Sequence, residues 1–291
     1  MKKYIIVTAL ALSSLMLMGC SSIAPNPHPT PKTSEESTES SPSEESSETP
    51  KSYKVLFIGN SFTYYNDLDK VTEEIGKSIG VDITCDRVAI GAHKLIEFAT
   101  DGDDGANQIA QKVNNNDYTH IIIQEQSTLP LSNYSQFLDG ATKLVGQLKE
   151  KEPNAEIRLY QSWGYQNMVD AKYGNTIAEC ENKVCDAYKK VGKALDLKIH
   201  YVGKAFTKWL NDNPDVSPYY SKDNKHPSFL GTYISGLMHV ASLTGKNLSG
   251  VTYQGEQGKY NDYGETYIND TNKTKAINLA NYIYQTYGIN Y

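Results

Sequence analysis

Two short stretches, far apart in the chain, carry residue types that nucleophilic catalysis needs. Residues 223–227, "DNKHP", place Asp223 three positions before His226. The proline that follows disfavours a helical conformation for His226 and predicts that it lies on a loop. From this spacing Asp223 can curl back and accept a hydrogen bond from Nδ1 of the imidazole. Such a bond fixes the tautomer and leaves Nε2 free to act as a base.

The second stretch is "VLFIGNS", which ends at Ser61. Gly, Asn and Ser are common turn residues, so this tripeptide alone is equally typical of an ordinary tight turn. A serine hydroxyl becomes a good nucleophile only when a neighbouring base takes its proton. Ser61, Asp223 and His226 supply a nucleophile, an orienting carboxylate and a base, in that chain order. The chain has no GxSxG motif, which argues against the common α/β-hydrolase arrangement.

Short apolar segments alternate with helical patterns over the last 240 or so residues. The predicted strands are 54–59, 82–89, 119–124, 156–161 and 198–202. The predicted helices are 67–79, 105–115, 132–150, 174–195, 228–244 and 272–287. The runs "VLFI" and "HIII" are continuous rather than alternating, as in strands that helices cover on both faces. The pattern predicts a three-layer α/β/α sandwich with a mainly parallel five-stranded sheet.

Active sites in such sheets lie at the carboxyl ends of the strands. The second strand leads to Gly91 and His93; the glycine either makes the turn or leaves its N–H open to a ligand, and His93 is expected to line the cleft. After the third strand, Gln124 and Gln126 offer side-chain amides as donors. After the fourth strand, Trp163 is either a core aromatic or a platform that stacks on a ring.

These blocks together resemble the SGNH, or GDSL-like, hydrolases. "GNS" is similar to their nucleophile block, "IGA" to their glycine block, "QEQS" to their Gly-x-Asn-Asp block and "DNKHP" to their Asp-x-x-His-Pro block. The resemblance implies a flavodoxin-like fold and ester hydrolysis without metal or cofactor.

The resemblance also implies an oxyanion hole made by the N–H groups of Ser61 and Gly91 and the amide of Gln126. Two departures from the family pattern are present. Asn60 stands where the GDS form has Asp, and Gln126 stands where Asn is expected, with Gln124 as the alternative donor.

The first 52 residues predict export and anchoring. A basic start, an apolar run and Gly19-Cys20 resemble the lipobox of bacterial lipoproteins, with a signal peptide over 1–19. A plain signal peptide with an incidental cysteine is the alternative. Residues 20–52 comprise the lipidated Cys20 and a Ser/Glu/Pro-rich tether, too poor in apolar residues to fold. The catalytic domain is then 53–291, outside the cytoplasm and held to the cell membrane by the N-terminal lipid.

Composition excludes several classes of function. The net charge of −6 and the lack of a clustered basic face argue against nucleic-acid binding. The remaining cysteines, Cys85, Cys180 and Cys185, show no CxxC pair and no zinc-ligand spacing, so we expect no metal. Cys180 and Cys185, five residues apart in a predicted helix, point to different faces, which argues against a disulfide between them.

The aromatic composition bears on the substrate. The chain has 22 Tyr against 6 Phe and 2 Trp, and no long apolar stretch typical of a lipid-binding lid. We therefore expect O-deacetylation of a glycan, with Tyr64 and Tyr65 as further platforms. A lipase or thioesterase and a non-catalytic glycan-binding module are the alternatives. The Tyr/Gly/Asn-rich segment 252–268 is left as either a surface loop over the cleft or simple packing.

Overall fold

A computed structural model describes residues 52–113 and 117–288 of the chain. The predicted signal peptide, Cys20 and all of the predicted tether except residue 52 lie outside these described residues. Within them, five parallel strands form one sheet in the order β2-β1-β3-β4-β5. The strands are β1 (Tyr53–Gly59), β2 (Ile83–Ala89), β3 (His120–Ile123), β4 (Glu156–Tyr160) and β5 (Lys198–His200). The predicted three-layer α/β/α architecture is confirmed.

Ten α-helices surround the sheet in the described part of the chain. They are α1 (Ser61–Tyr64), α2 (Leu68–Ser78), α3 (Leu95–Phe98), α4 (Asp104–Val113), α5 (Leu129–Ser132), α6 (Tyr134–Lys151), α7 (Ile177–Leu195), α8 (Val202–Asp212), α9 (Phe229–Thr244) and α10 (Asp270–Ile283). In one layer, α9 lies between α2 and α10 and contacts both. Helices α3, α4, α6 and α7 form the other.

Strand β1 lies inside the sheet, paired with β2 on one side and with the central strand β3 on the other. Residues 55–58 and 121–123 are fully buried, which explains their continuous apolar sequence. The strand order reverses between β1 and β3, so the connections that leave these two strands diverge. The crevice at this switch point is where open parallel sheets bind ligands. Ser61 and Gln126 follow these two strands.

Two predicted segments differ from the observed elements. The predicted strand 198–202 ends at His200, because Val202 already begins α8, a helix that the sequence interpretation missed. The buried face of α8 consists of apolar residues at helical spacing, among them Val202, Phe206 and Trp209. The segment 252–268 forms an antiparallel hairpin of β6 (Gly255–Asn261) and β7 (Gly264–Tyr267).

The three cysteines in the described residues, Cys85, Cys180 and Cys185, are buried and free. This agrees with the expectation that Cys180 and Cys185 do not pair. Helices long and apolar enough to cross a membrane are absent from residues 52–113 and 117–288.

Candidate active site

The turn after β1 presents Ser61 at the first position of α1. The strand ends at Gly59, where a Cβ atom would collide with Thr63 Oγ1 and lie 2.8 Å from Gln124 Oε1. Only glycine allows the chain to pass so close to these two polar groups. Thr63 Oγ1 in turn donates a hydrogen bond of 3.0 Å to Gln124 Oε1. The turn is therefore fixed against the end of β3.

Asn60 is the cap that joins two turns of the site. Its Oδ1 accepts a hydrogen bond from the N–H of Phe62 at 3.2 Å, and its own N–H donates to Gln124 Oε1 at 3.1 Å. Its Nδ2 donates to the carbonyl of His93 at 3.1 Å. Through this one buried side chain, the turn that carries Ser61 is tied to the turn after β2 that carries Gly91. The sequence showed Asn60 only as a departure from the GDS form and predicted no such role for it.

Ser61, His226 and Asp223 form a continuous chain of hydrogen bonds. His226 Nε2 lies 2.8 Å from Ser61 Oγ, and His226 Nδ1 lies 2.7 Å from Asp223 Oδ2. The other oxygen, Oδ1, accepts the N–H groups of His226 at 3.0 Å and of Lys225 at 2.9 Å. The structure thus brings Ser61 to two residues that lie more than 160 positions later in the sequence, and Asp223 meets His226 Nδ1 as their spacing predicts.

The hydrogen bonds at Asp223 affect its acidity. Burial raises the pKa of this carboxyl, but the bonds from the His226 side chain and from the two backbone N–H groups outweigh it. The net result is a pKa below the ordinary value, so Asp223 is an anion at neutral pH. An anion beside Nδ1 is what stabilises an imidazolium when the ring accepts a proton.

Aromatic rings hold the imidazole in place. Tyr65 stacks on His226 with ring centroids 4.2 Å apart and planes 9° apart, and Phe62 meets the ring edge-on at 5.6 Å. Tyr263, at the tip of the β6–β7 hairpin, stacks on the other face of Tyr65 at 3.8 Å. Burial, followed by nearby charges, raises the pKa of Tyr65 to about 12, so its ring stays neutral.

This stack decides two points left by the sequence, the role of Tyr65 and the position of the segment 252–268. Tyr65 cannot serve as a sugar platform, because His226 and Tyr263 occupy its two faces. The segment 252–268 does reach the cleft, since Tyr263 at its tip stacks on Tyr65, which in turn stacks on His226. Tyr64 lines the cavity and is half-buried, so its role as a platform stays a prediction.

The donors expected for an oxyanion face one cavity. Among the described residues, the N–H groups of Ser61 and Gly91 have no hydrogen-bond partner. Gln126 uses its Oε1 to accept from the N–H groups of Thr128 and Leu129, at 3.0 and 3.1 Å. This leaves its Nε2, with one long contact of 3.4 Å to Ser127 Oγ, as the free end of the amide.

Glu125 supports this loop from behind. It is fully buried, and its Oε1 accepts the N–H of Gln126 at 2.6 Å and that of Leu95 at 3.2 Å. Burial raises the pKa of this carboxyl to about 8, so it is mostly protonated at neutral pH. Sequence reasoning did not assign it a role, because "QEQS" gives no sign of which polar residue is buried.

Three other residues predicted to bind substrate do not line the cavity. Gln124 is fully buried, and its Nε2 already donates to the carbonyl of Glu125 while its Oε1 accepts from Asn60 and Thr63, so the suggestion that it is an alternative oxyanion donor is wrong. His93 does not line the cavity, because its Nε2 pairs with Asp103 at 3.1 Å. Trp163 is a core residue.

The two interpretations of Trp163 are decided by its faces. Phe62 stacks on one face and Phe206 on the other, each at 4.2 Å, and the side chain is fully buried. A platform needs an open face. The indole instead fixes the histidine loop, since its Nε1 donates to the carbonyl of Lys225 at 2.9 Å.

The cavity itself is small and is lined by both polar and apolar groups. It has a volume of about 270 Å³ and is bounded by eleven residues that include Ser61, Gly91, Gln126 and His226. Lys225 also lines it, which sequence reasoning missed although the residue lies inside the "DNKHP" block. Gathered sets of three or more His, Cys, Asp or Glu side chains, as a metal site requires, are absent from the residues that the structure describes.

Comparisons with known proteins agree at the level of the fold. No protein-family model and no curated protein matches the sequence. Among solved structures, a DUF4886 family protein from Bacteroides uniformis has a TM-score of 0.65 and 18% identity, over 81% of this chain and 95% of its own. A protein from Slackia heliotrinireducens assigned to the SGNH hydrolases has a TM-score of 0.54 and 17% identity, over 66% of this chain and 100% of its own.

An acetyl xylan esterase is a further structural neighbour, with a TM-score of 0.50 and 12% identity over 65% of this chain and 99% of its own. At such identities the likeness is one of fold. The chain has the SGNH hydrolase fold, as the resemblance of its sequence blocks predicts.

Proposed function

We propose that this protein is a serine hydrolase that cleaves carboxylic esters. The observation that carries the proposal is the hydrogen-bonded chain from Ser61 Oγ through His226 to Asp223. A binding module has no need for a hydroxyl, an imidazole and a carboxylate in this relation. The open donors beside Ser61 supply the second requirement of acyl transfer, which is stabilisation of a developing oxyanion.

The mechanism follows from the geometry. Ser61 Oγ attacks the ester carbonyl carbon while its proton passes to His226 Nε2, and Asp223 stabilises the imidazolium formed. The tetrahedral intermediate collapses when His226 returns the proton to the leaving alkoxide, which releases the alcohol and leaves an acyl group on Ser61. Water then attacks this acyl enzyme with His226 as the base, and the carboxylic acid leaves.

The oxyanion is held by the N–H groups of Ser61 and Gly91 and by Nε2 of Gln126. Each such donor typically contributes about 3–4 kcal/mol to stabilising the transition state. The role of Gln126 Oε1 as a local cap explains how a side chain longer than asparagine is fixed here: the bonds from Thr128 and Leu129 set the orientation of the amide. Its Nε2 is then the end that can face the cleft.

The acyl group that we propose is small, and acetyl suits it best. A cavity of about 270 Å³ is small for a ligand pocket, which favours a short acyl chain over a fatty one. The hydroxyl and amide groups among its lining residues, together with the half-buried Tyr64, favour a carbohydrate as the alcohol. One neighbour of similar fold is an acetyl xylan esterase. These points support carbohydrate O-acetylesterase activity over a lipase or thioesterase.

Activity-based labelling tests the catalytic proposal. We expect a fluorophosphonate probe to modify the wild-type protein and the Ser127→Ala variant, but not the Ser61→Ala variant. Ser127 is the matched control because it is the other serine on the cavity wall, with its Oγ 3.2 Å from Tyr165 Oη. Equal labelling of the folded Ser61→Ala variant would refute the assignment, and lack of labelling in all three would favour a non-catalytic glycan-binding module.

Chain-length dependence tests the substrate proposal. Hydrolysis of 4-nitrophenyl esters is expected to fall steeply from acetate to butyrate and longer acyl groups. Acetylated oligosaccharides should release acetate. A rate that rises towards octanoate would instead support a lipase.

We also propose that the enzyme is a lipoprotein of the outer face of the cell membrane. The proposal rests on Lys2-Lys3, the apolar run and Gly19-Cys20, together with a tether long enough to hold the domain away from the membrane. Expressed in a bacterial host, the wild-type chain should partition into detergent. The Cys20→Ser variant should appear in the aqueous phase, and equal partitioning of the two would contradict a lipid on Cys20.

A further inference from the structure

One charged side chain stands out in the wall of the active-site cavity. Of the eleven residues that line it, Lys225 alone carries a permanent charge, and the rest are uncharged apart from the titratable His226. A hydrolase of neutral esters has no evident use for a fixed cation at this place.

The position of Lys225 is fixed by its backbone. Its N–H donates to Asp223 Oδ1 at 2.9 Å, and its carbonyl accepts from Trp163 Nε1 at 2.9 Å. Both peptide groups are therefore tied to residues that also orient or support the catalytic histidine. The side chain starts from a rigid point one residue before His226, and it is only partly exposed.

The ammonium group is held by rings rather than by an acid. Its Nζ lies 5.6 Å from the ring centre of Tyr165 and 6.0 Å from that of Phe62. Across residues 52–113 and 117–288, ion pairs are formed by many lysines, but Lys225 is in none of them. The nearest acid in sequence, Asp223, uses both oxygens for the His226 ring and two backbone N–H groups.

Aromatic faces position a cation without neutralising it. The charge thus stays available to an anion that enters the cavity, and a lysine ammonium binds carboxylate and phosphate oxygens strongly when these are partly shielded from water. Lys222, on the same loop, gives the contrast: it lies over Tyr220, is exposed and does not line the cavity.

We propose that Lys225 is a specificity-determining residue that binds an anionic group next to the scissile ester, so that the preferred substrates are esters that carry a carboxylate or phosphate close to the scissile bond. This inference rests on the proposed ester-hydrolase function and refines its substrate class. The anion is either a carboxylate or phosphate of the sugar that forms the alcohol side, or a carboxylate at the far end of the acyl group. The chemistry recognised is the same in both cases.

Paired esters of matched shape test the proposal. On the alcohol side, 4-acetoxybenzoate is compared with its neutral methyl ester. On the acyl side, the mono-4-nitrophenyl ester of glutaric acid is compared with the same compound methylated at the free acid. Each is measured with the wild-type protein, with Lys225→Met, which keeps an unbranched apolar stem, and with Lys222→Met as the matched control.

We expect Lys225→Met to lower kcat/KM for the anionic member of at least one pair by roughly tenfold, as is ordinary for loss of one charge-assisted contact. The neutral members should change by less than about threefold, and Lys222→Met should behave as wild type. The advantage of the anionic ester should also shrink as salt is added. The pair that responds identifies which side of the ester carries the anion.

Two results would overturn the proposal in different ways. If the wild-type protein hydrolyses the neutral esters but Lys225→Met lowers both members of each pair equally, or neither, Lys225 has no role in anion recognition and the hydrolase function stands. If the wild-type protein hydrolyses none of the esters, the hydrolase function itself is wrong and the anion site falls with it.

Discussion

Two groups of side chains in this protein contain histidine, one at the cleft and one in the core, and they are expected to differ in reactivity. At the cleft, His226 bonds to Asp223 through Nδ1 and to Ser61 through Nε2, and it lines a cavity. In the core, His200 and His239 face each other with their Nδ1 atoms 2.7 Å apart. Both rings are fully buried, and neither Nε2 atom has a partner among the described residues.

The difference shows that residue type alone does not predict reactivity. Burial lowers the pKa of His239 to about 3, and burial together with the neighbouring ring lowers that of His200. Neither ring can take up a proton near neutral pH, and neither has access to a substrate. His226 has a carboxylate to stabilise its charged form and an open route to a reacting group, which are the two things that the core pair lacks.

Removing one imidazole from each group tests directly whether only the histidine at the cleft is needed for activity. We expect His226→Gln to lower kcat about 10⁵-fold, because Ser61 then has no base. His239→Gln should keep its activity within about threefold at a pH where it is folded. Hydrolysis of an acetyl ester by the two variants, with folding checked by circular dichroism, decides the matter. A comparable loss in both would remove the distinction.

Asp223→Asn tests whether the carboxylate makes the difference between the two clusters. The amide can still accept the backbone N–H groups through its oxygen, but it cannot stabilise the imidazolium. A fall in kcat of roughly 10³–10⁴-fold is expected. Burst kinetics with a 4-nitrophenyl ester should show slower acylation, and a loss smaller than tenfold would mean that His226 acts without its carboxylate.

Gln126→Glu asks how much of the cleft cluster's reactivity depends on the donor opposite the histidine. The carboxylate keeps the acceptor that caps Thr128 and Leu129, but it has no Nε2 donor. We expect kcat to fall by about 10²–10³-fold with KM little changed. If the variant keeps more than half of the activity, the amide does not contact the oxyanion.

The pH dependence of the free energy of unfolding should reveal the lowered pKa of the buried histidine His239. In the unfolded chain His239 is protonated near pH 6.5, whereas burial in the folded chain lowers its pKa to about 3. The unfolded state therefore binds more protons in this range, and the free energy of unfolding falls as the pH falls from 6.5 to 3. The limiting slope is about 1.4 kcal/mol per pH unit. Glu125, with its pKa raised to about 8, acts in the opposite direction between pH 8 and 4.5.

Because these two effects overlap, the measurement is a difference between proteins. Urea unfolding of wild type and His239→Gln at several pH values should show that the free energy of unfolding of the variant falls less steeply from pH 6.5 to 5. Parallel curves would mean that His239 is protonated in the folded protein and is not inert.

The smallest expected effect concerns the hairpin. Tyr263→Ala removes the ring that stacks on Tyr65 behind His226, and we expect kcat/KM to fall about fivefold through looser placement of the imidazole. Tyr263→Phe keeps the ring and should retain most of the activity. If KM rises while kcat is constant, Tyr263 contacts substrate instead of backing the histidine.

The parts that sequence reasoning predicted well are those set by local rules. Continuous apolar strands such as 55–58 require cover on both faces, parallel strands bring their carboxyl ends together, and a proline after His226 requires a loop. These rules were enough to predict the sheet and to bring Ser61, Asp223 and His226 to one edge of it.

The parts that it missed depend on which distant groups meet. The residues next to Gln124 in the sequence give no sign that its side-chain amide is hydrogen-bonded to Asn60 and Thr63. Nothing near Trp163 shows that rings from α1 and α8 cover both faces. The hairpin at 255–267 is mostly exposed and polar, so no hydrophobic pattern marks its strands. Each of these outcomes is set by tertiary contacts between segments far apart in the chain.

The paired Nδ1 atoms of His200 and His239 have a consequence for hydrogen exchange. Since both rings are neutral, one Nδ1 carries a proton that it donates to the other, and the two rings must hold opposite tautomers. Exchanging these tautomers requires a second proton to move between the Nε2 atoms, neither of which has a hydrogen-bond partner among the described residues. The shared proton should therefore give a persistent downfield NMR signal, whose lifetime reports how often the centre of this domain opens to solvent.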